Sequence, residues 1–243
     1  MLSGCDGGIY ETFDGAKNWD FKANLPVTQF YKVAVDNELP FYNVYGGTQD
    51  NWTLGGPSRT TNRNGITNDD WYVTLGGDGF EAQVDPDDPN IVYSQWQYGN
   101  LVRFDKRSGE RTDIKPRARK GEDAYLWNWD APLQVSAHVS GRIYFTANKV
   151  FRSDDRGQSW DVISEDLTQQ IDRNKLKLMY RESSFEAIEK NSGTSKYGTL
   201  VAFHESPTNK NLLYTGSDDG LMHVTEDGGV SWFALLVPIK SSA

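Results

Sequence analysis

The chain of 243 residues carries a formal net charge of −9, from 25 basic and 34 acidic side chains. This acidic balance argues against nucleic acid as a partner, because phosphates require a basic surface, and no apolar run of about 18 residues is present that would span a bilayer. The single cysteine, Cys5, excludes an internal disulfide. With 23 glycines, 9 prolines and 13% aromatic residues among short β-branched runs, the composition predicts an all-β protein.

The chain opens with half of a repeating structural unit. Residues 7–13 predict one strand and residues 19–23 predict a second, with a turn between them. We place this half-unit at residues 7–24. The opening residues lack the apolar core of a signal peptide, so we expect none in this chain.

Four complete units of four short strands follow. In the first of them, residues 30–36 and 42–48 predict two strands, a third run follows Gly56-Pro57, and a fourth begins after Trp71. The later units repeat this order of strands and turns. The predicted units cover residues 29–75, 79–115, 131–164 and 198–237.

The spacing of the units predicts the architecture. Four short strands about every 50 residues are typical of the blades of a β-propeller, which bury their faces only against neighbouring blades. Residues 165–197 form an insertion, in which Ser183 and Glu186 predict the capping box of one short helix. We therefore predict a single domain over residues 1–243, a partial propeller of about four and a half antiparallel blades. Because an unclosed ring leaves strand edges unpaired, we expect the remaining blades in a longer parent chain.

An eight-residue turn recurs between the predicted strands. The pattern Ser/Thr-x-Asp-x-Gly-x-Ser/Thr-Trp occurs at residues 153–160 and 225–232, and in degraded form at residues 12–19. The aspartate can accept backbone N–H bonds within the turn, the glycine can supply a positive φ, and the tryptophan can anchor the outgoing strand. A calcium loop is excluded because the alternating acidic ligands are missing, so we expect no metal or cofactor. The structural residues of these turns are Asp14, Trp19, Ser153, Asp155, Gly157, Trp160, Thr225, Asp227, Gly229 and Trp232.

The opposite side of the predicted disk is the candidate binding surface. In an antiparallel meander the recurring turns share one side, so the turns between second and third strands and the links between blades share the other, where propellers usually bind ligands. Aromatic faces, amides and carboxylates suit sugar rings and peptide backbones, although the same residues also make good turns. The predicted binding residues are Gln49, Asp50, Asn51, Trp52, Trp96, Tyr98, Trp127, Trp129, Asp218 and Asp219.

The eight-residue turns resemble the BNR, or Asp-box, repeats of sialidases, xyloglucanases and sortilin-like receptor ectodomains. Residues 41–51 and 166–176 are similar to segments of large exported bacterial proteins of the sortilin-like, BNR-repeat group, which are often labelled glycosyl hydrolases. This resemblance implies an exported, periplasmic or extracellular protein with more blades than this chain contains. Two positions depart from the pattern: Ala16 stands where the turn favours glycine, and Trp52 stands where that group commonly has glycine.

Catalysis by a glycoside hydrolase would require two carboxyl groups on opposite sides of a sugar. The predicted candidates are Asp218 and Asp50. Residues 214–218 are similar to the run in which xyloglucanases place a catalytic aspartate, but the matching position of the first complete unit is Gln49, which is neither acid nor base. The remaining carboxylates on that side are Asp78, Asp130 and Asp219, and no Phe-Arg-Ile-Pro run of the sialidase type is present.

Two functional hypotheses follow from the sequence. The first is a non-catalytic binding or scaffold propeller that recognises a protein, peptide or glycan on the side opposite the recurring turns. The alternative is a fragment of a xyloglucanase-like or sialidase-like glycoside hydrolase. Fold alone does not choose between them, because propellers host many functions.

Overall fold

The computed structural model describes residues 1–5, 7–23, 28–178, 180–184, 186–188 and 196–235. The described part contains 21 strands and two short 3-10 helices, Asn68–Asp70 and Arg173–Lys175, and no α-helix. Four antiparallel four-stranded sheets, each with its strands adjacent in chain order, form the blades of a partial β-propeller. A three-stranded sheet precedes them, and we number the four blades 2 to 5 accordingly.

The strands of the blades are short, as the spacing of the turns predicts. Blade 2 contains β4 (Val33–Val35), β5 (Asn43–Gly47), β6 (Thr53–Pro57) and β7 (Tyr72–Leu75). Blade 3 contains β8 (Ala82–Val84), β9 (Ile91–Trp96), β10 (Asn100–Asp105) and β11 (Glu110–Asp113). Blade 4 contains β12 (Leu133–Val135), β13 (Ile143–Thr146), β14 (Val150–Ser153) and β15 (Asp161–Val162). Blade 5 contains β18 (Leu200–Glu205), β19 (Leu213–Ser217), β20 (Met222–Thr225) and β21 (Phe233–Ala234).

The first strand of each blade lies innermost. Strand β8 contacts both β4 and β12, and β12 contacts β18. A space of about 430 Å³ is lined by residues in or beside these four strands. The blades therefore radiate from a common axis, and their first strands surround a central channel.

The hydrophobic core lies between the blades. Tyr45 packs with Ala82 and Val92 between blades 2 and 3, and Tyr93 packs with Leu133 between blades 3 and 4. Strand β9 is buried over almost its whole length, because blades cover both of its faces. Each blade thus depends on its neighbours for burial.

The N-terminal sheet differs from the predicted half-unit at residues 7–24. It has three strands, β1 (Leu2–Cys5), β2 (Gly8–Glu11) and β3 (Asp20–Phe21). Strand β1 is exposed along its whole length and pairs with β2 through the backbone. Because it buries no apolar face, it has no alternating pattern by which the sequence could reveal it.

The third strand of blade 2 also differs from the prediction. It covers Thr53–Pro57, whereas the sequence pattern predicts it after Gly56-Pro57. The glycines allow close packing: a Cβ at Gly55 would lie 2.7 Å from the Tyr45 ring, and one at Gly56 would lie 2.5 Å from the Trp71 ring. Gly56 is therefore a packing residue within a strand, and Pro57 ends that strand.

The insertion contains a hairpin, β16 (Lys177–Leu178) and β17 (Arg181–Glu182). The helix predicted near Ser183 is not formed by the described residues 183, 184 and 186–188, where the Ala187 amide donates to the Ser184 carbonyl in a turn. Residues 185 and 189–195, which complete that prediction, lie outside the described residues. The end of the last predicted unit, residues 236–237, also lies outside them.

The recurring turns connect the third and fourth strands of blades 4 and 5. In residues 153–160, Ser153 Oγ donates to Asp155 Oδ1 at 2.7 Å and accepts from the Gly157 amide at 2.8 Å. The Asp155 carboxylate also accepts from the Ser159 amide and hydroxyl, at 2.8 and 2.6 Å. The turn is therefore closed by its own side chains. The same bonds recur at Thr225, Asp227, Gly229 and Ser231.

The tryptophan of each of these two turns bonds to the preceding blade. Trp160 Nε1 donates to the carbonyl of Ile114 at 2.7 Å, and Trp232 Nε1 donates to that of Ile163 at 2.8 Å. Each isoleucine directly follows the fourth strand of the blade before. The turns therefore connect neighbouring blades as well as neighbouring strands.

The degraded turn at residues 12–19 connects β2 and β3 of the N-terminal sheet. Asp14 accepts bonds from Thr12 Oγ1 at 2.9 Å and from the Asn18 amide at 3.0 Å, so the internal bonding matches the intact turns. Ala16 takes the place of glycine with a φ of 69°. Trp19 is 40% exposed, so it is less well packed than the sequence predicted.

Candidate functional site

The side of the propeller opposite the recurring turns, which we call the rim, carries most of the predicted binding residues. The rim consists of the turns between second and third strands, such as β5–β6 and β9–β10, and the links between blades. Gln49, Asp50, Asn51 and Trp52 lie in the β5–β6 turn, Trp96 and Tyr98 lie at the β9–β10 turn, Trp127 and Trp129 lie in the link before β12, and Asp218 and Asp219 lie in the β19–β20 turn.

The β5–β6 turn projects an aromatic side chain into solvent. Thr48 closes it through its amide, which donates to the Trp52 carbonyl at 2.9 Å. Asp50 and Trp52 both adopt left-handed backbone conformations, with φ of 61° and 73°. Trp52 is 50% exposed. Non-glycine residues in this conformation are strained, and such strain concentrates at functional sites.

A polar groove of about 520 Å³ lies at this turn. Apart from Gly7, the described residues that line it all carry hydrogen-bonding side chains. Its lining residues are Gly7, Thr28, Gln29, Thr48, Gln49, Asp50 and Asn51. The described lining therefore combines amides, hydroxyls and one carboxylate, and part of it comes from the turn that carries Trp52.

Asp78 joins the rim turns of blades 2 and 3. Its carboxylate accepts from the Asp50 amide at 2.9 Å and from Gln97 Nε2 at 2.6 Å, while its own amide donates to Gln97 Oε1 at 3.3 Å. The side chain is buried, with 6% of Asp78 exposed. Asp78 is therefore a structural residue that orients the Asp50 turn.

Tyr31, which is not among the predicted binding residues, lies against the same turn. Its hydroxyl donates to Gln49 Oε1 at 2.5 Å, and its ring packs on Phe80 with centroids 5.2 Å apart. Burial raises the pKa of Tyr31, and the negative charges of Asp78, Asp50 and Asp130 raise it further. The hydroxyl thus stays protonated and donating. Tyr31 has no local sequence signal, because residues 30–36 show only strand-like alternation.

Lys32 is a second residue that sequence reasoning missed. Its ammonium group lies 3.0 Å from Asp130 and 3.3 Å from Glu81, at the end of the central channel nearest the rim. Burial acts to lower the pKa of Lys32, but the two carboxylates outweigh it and hold the pKa above its usual value. The other oxygen of Asp130, Oδ1, is buried and has no hydrogen-bond partner among the described residues. A charged cluster therefore lies beside the groove.

Tyr98 and Trp129 lie together at the rim. The Tyr98 amide donates to the Trp129 carbonyl at 3.2 Å, and their rings pack edge to face at 5.2 Å. Trp129 also contacts Phe80 at 6.1 Å, which places it next to Tyr31. Trp96 packs over Gly77, where a Cβ would lie 3.0 Å from Trp96 Cβ. These aromatic residues extend the surface that begins at the Asp50 turn.

Trp127 is not a surface residue, so its predicted role in ligand binding is wrong. It is 7% exposed and packs against Phe145 and Phe151, with ring centroids at 4.9 and 5.6 Å. Its ring also contacts Gly99, and Lys115 Nζ lies 5.2 Å above it. Trp127 is a core residue of the contact between blades 3 and 4.

The Asp218 carboxylate is hydrogen-bonded to the link before blade 5. Its Oδ1 accepts from the amides of Gly198 and Thr199, both at 2.9 Å, and its Oδ2 accepts from Thr199 Oγ1 at 2.9 Å. Asn128 Nδ2 donates to the same Thr199 hydroxyl at 2.9 Å. A carboxylate held by three donors is an anchor for its loop, so this geometry does not favour Asp218 as an acid or nucleophile.

Asp219 has a comparable structural role. It is buried, with 7% exposure, and accepts from the Gln169 amide at 2.6 Å and from Ser217 Oγ at 2.5 Å. It thereby attaches the insertion to the β19–β20 turn. Asp218 and Asp219 are bonded to links rather than to the groove at Asp50, so the predicted site separates into two clusters.

No group of three or more histidine, cysteine, aspartate or glutamate side chains in the described ranges is arranged to hold a metal ion. Among the residues of known placement, no helix has the length and apolar character to cross a bilayer.

Comparison with known proteins yields structural similarity only. No protein-family model matches the chain, and no curated protein matches it. A solved structure of YCF48 from Cyanidioschyzon merolae is similar with a TM-score of 0.34 and 16% identity, over 65% of this chain and 36% of that one. A GH74 xyloglucanase from Xanthomonas campestris is similar with a TM-score of 0.49 and 12% identity, over 95% of this chain and 35% of that one. The chain spans about a third of the length of each of these proteins.

Proposed function

We propose that this chain is a non-catalytic ligand-binding propeller scaffold, and that its rim binds a glycan, a peptide or a protein segment at the Asp50 turn. The observation that carries this proposal is the half-exposed Trp52, held on strained backbone in the same turn whose other residues line a groove of amides and hydroxyls. An aromatic face flanked by such groups provides the stacking and hydrogen bonding that sugar rings require. The hydrogen-bonding side chains among its described lining residues favour a glycan over an apolar peptide.

The absence of a catalytic role is supported by the state of the carboxylates. Asp218, Asp219 and Asp78 each accept two or more hydrogen bonds from loop amides or side chains. A general acid or base needs a carboxyl group free to reach the substrate. Only Asp50 and Asp130 then remain as candidates for the alternative, a fragment of a xyloglucanase-like or sialidase-like hydrolase.

The binding proposal is tested by isothermal titration with cello-oligosaccharides, xyloglucan oligosaccharides, sialyllactose and a peptide library. We expect Trp52→Ala to weaken the binding of any ligand found by at least tenfold, because the stacking surface is lost. Tyr42→Ala is the matched control, since Tyr42 is also 50% exposed but lies at the start of β5, on the side of the recurring turns. Equal affinity of Trp52→Ala and the unaltered chain would refute the site.

Release of reducing sugar from the same oligosaccharides tests the hydrolase alternative. We expect no release by the chain. Release that is lost in Asp50→Asn or Asp130→Asn would show that the rim is catalytic. We further propose that the protein is exported and that other blades belong to a longer parent chain, as the similarity of residues 41–51 and 166–176 to exported proteins suggests.

A further inference from the structure

A groove of about 1190 Å³ lies at the outer edge of the contact between blades 3 and 4. Its walls are the link that follows β11, from Lys115 to Tyr125, and the outer strands β14 and β15 of blade 4. The innermost strands of both blades contact a blade on either side, so the groove lies in the middle of the described propeller. It exceeds the roughly 300–1,000 Å³ of pockets that enclose small ligands, so its size suits a segment of a polymer.

The link is attached to blade 4 at both ends of the groove. At one end the Ile114 carbonyl accepts from Trp160 Nε1 at 2.7 Å, and at the other the Leu126 amide donates to Asn148 Oδ1 at 3.0 Å. Trp160 ends a recurring turn, whereas Asn148 lies in the β13–β14 turn on the side of the rim. The groove therefore crosses the outer edge of blade 4 from one side of the disk to the other, and hydrogen bonds fix its width.

The link concentrates positive charge in an otherwise acidic chain. Residues 115–120, Lys-Pro-Arg-Ala-Arg-Lys, contain four basic side chains in six positions, whereas the chain as a whole carries a net charge of −9. Three of these side chains line the groove, together with Lys149 and Arg152 of blade 4. Such clusters of lysine and arginine are typical of surfaces that bind polyanions.

The cations of the groove are only partly compensated by carboxylates. No hydrogen bond or ion pair joins the side chain of Arg119 or Lys149 to another described residue. Lys115 Nζ bonds to two neutral oxygen atoms of blade 3, at 2.9 and 3.2 Å. Burial lowers the pKa of Lys115, and the positive charges of Arg117 and Lys196 lower it further. A bound anion would offset this mutual repulsion.

The groove also offers carboxylates and aromatic surface. Its described lining contains four carboxylates, among them Asp161 and Asp166 of blade 4. Tyr125 and Trp160 are half-buried and line it as well, and the Tyr125 ring packs edge to face on Phe151 at 4.7 Å. A uniformly anionic ligand would be repelled by these carboxylates. A sugar chain instead brings hydroxyl donors for the carboxylates and ring faces for the aromatic side chains.

We propose that this groove is a second ligand site, and that it binds an acidic polysaccharide, whose sugars carry carboxylate or sulfate groups. The anionic groups pair with Arg119 and Lys149, the ring faces lie against Tyr125 and Trp160, and the hydroxyl groups donate to the carboxylates of the groove. The four carboxylates and the acidic balance of the chain argue against nucleic acid as the polyanion. This site is independent of the Asp50 turn, with which it shares no described lining residue.

Isothermal titration of the whole chain with a galacturonate hexamer and a heparin hexasaccharide tests the proposal. We expect binding that weakens as NaCl rises from about 50 to 300 mM, because salt screens exposed charges. The tighter of the two ligands identifies the anionic group, carboxylate or sulfate. Hexaglutamate tests an acidic peptide and should bind more weakly than either. Cellohexaose is the neutral control, and Arg119→Ala should leave its affinity unchanged.

Variants of the two uncompensated cations locate the ligand. Arg119→Ala and Lys149→Ala should each weaken binding of the acidic hexasaccharide by about fivefold or more, because each removes a charge-assisted contact. Arg63→Ala and Lys210→Ala are the matched controls, since both side chains are exposed and lie outside the described lining. They remove the same charge and should retain the affinity. Thermal unfolding should be the same for all four variants.

Failure of both acidic oligosaccharides to bind, or equally tight binding of hexaglutamate, would overturn the proposal. Equal losses in the groove variants and the control variants would also overturn it, because they would indicate attraction to the overall charge of the surface. Binding that Trp52→Ala abolishes and Arg119→Ala leaves unchanged would place the ligand at the rim instead. The two variants thereby separate a failure of this site from a failure of the Asp50 turn.

Discussion

At the scale of single residues, the recurring turns show why glycine is needed at one position. Gly157 and Gly229 have φ of 84° and 100°, and a Cβ at Gly157 would lie 2.5 Å from the side chain of Ile114. Conformation and space therefore both require glycine. Ala16 adopts a φ of 69° at the equivalent position. It therefore carries the conformational strain that glycine avoids.

We predict that Ala16→Gly stabilises the N-terminal sheet by about 1 kcal/mol, because the left-handed conformation costs an L-residue about that much. Hydrogen exchange of the β2 and β3 amides measures this local stability. Gly157→Ala is the opposite test and should destabilise blade 4 by more than about 1 kcal/mol. Unchanged or faster exchange in Ala16→Gly would show that strain at this turn is not limiting.

The carboxylates of the recurring turns make the protein sensitive to acid. The Asn18 amide, its side chain and the Thr12 hydroxyl lower the pKa of Asp14 to about 2. Burial opposes the shift at Asp155, but bonds from Ser159 and Ser153 outweigh it and lower that pKa as well. A carboxyl with a lowered folded-state pKa stabilises the fold above its unfolded pKa of about 3.9.

We therefore predict that these turns make a constant contribution to the free energy of unfolding above about pH 5. This contribution is lost as the pH falls from about 4 towards 2. Carboxyl chemical shifts followed by NMR should give Asp14 a pKa of about 2. Asp155→Asn should make stability less dependent on pH in this window, because one titrating group is removed. An Asp14 pKa near 4 would contradict the bonded turn.

At the scale of strands and blades, polar side chains reinforce each contact on the side of the recurring turns. Lys106 of blade 3 lies 2.6 Å from Glu38 of blade 2, and Arg156 of blade 4 lies 2.7 Å from Asp85 of blade 3. Glu205 connects blades 4 and 5 and is 2% exposed. It accepts from the groups of blade 4 that surround it, namely Ser136 Oγ, the Ala137 amide and the Tyr144 hydroxyl.

We predict that Glu205→Ala lowers the free energy of unfolding by about 2–4 kcal/mol, since it leaves buried donors unpaired and creates a cavity. Glu205→Gln should lower the free energy of unfolding by less, because one acceptor oxygen remains. Urea unfolding measures both variants. Glu226→Ala, at an exposed glutamate of the same blade, is the control and should change stability by less than about 0.5 kcal/mol. Equal stability of the two alanine variants would refute a bridging role for Glu205.

At the scale of the whole molecule, stability is distributed unevenly among the N-terminal sheet and the four blades. The largest hydrophobic cluster lies between blades 3 and 4 and includes Tyr93, Leu101 and Phe145. The N-terminal sheet exposes all of β1, together with Phe13 at 83% and Phe21 at 50%. Its strands therefore bury little apolar surface.

We predict that amides of β1–β3 exchange fastest and those of β9, β10 and β13 exchange slowest, because local opening requires less free energy where less surface is buried. Hydrogen exchange with mass spectrometry, at a dilution where the protein is monomeric, measures this order. Protection of β1–β3 equal to that of β9 would contradict it.

The sequence by itself determined the repeating all-β architecture and the chemistry of its turns. Asp155 bonds to Ser153 and Ser159, and Gly157 bonds to Ser153, all within seven residues, so their spacing in the sequence already contains the geometry. The position of blade 2 on the chain was likewise readable from alternation, but β6 was misplaced because Gly55 and Gly56 serve packing against Tyr45 and Trp71 rather than a turn.

Only the tertiary structure decided which rim residues are free to bind. The Asp218 carboxylate accepts hydrogen bonds from Gly198 and Thr199, and the Asp78 carboxylate accepts one from Gln97. In each case the donor lies about 20 residues away in the sequence. Trp127 is buried against Phe151, and Lys32 reaches Asp130, nearly 100 residues away. Hydrogen bonding and burial depend on partners brought together by the packing of blades, and a local pattern carries no information about such partners.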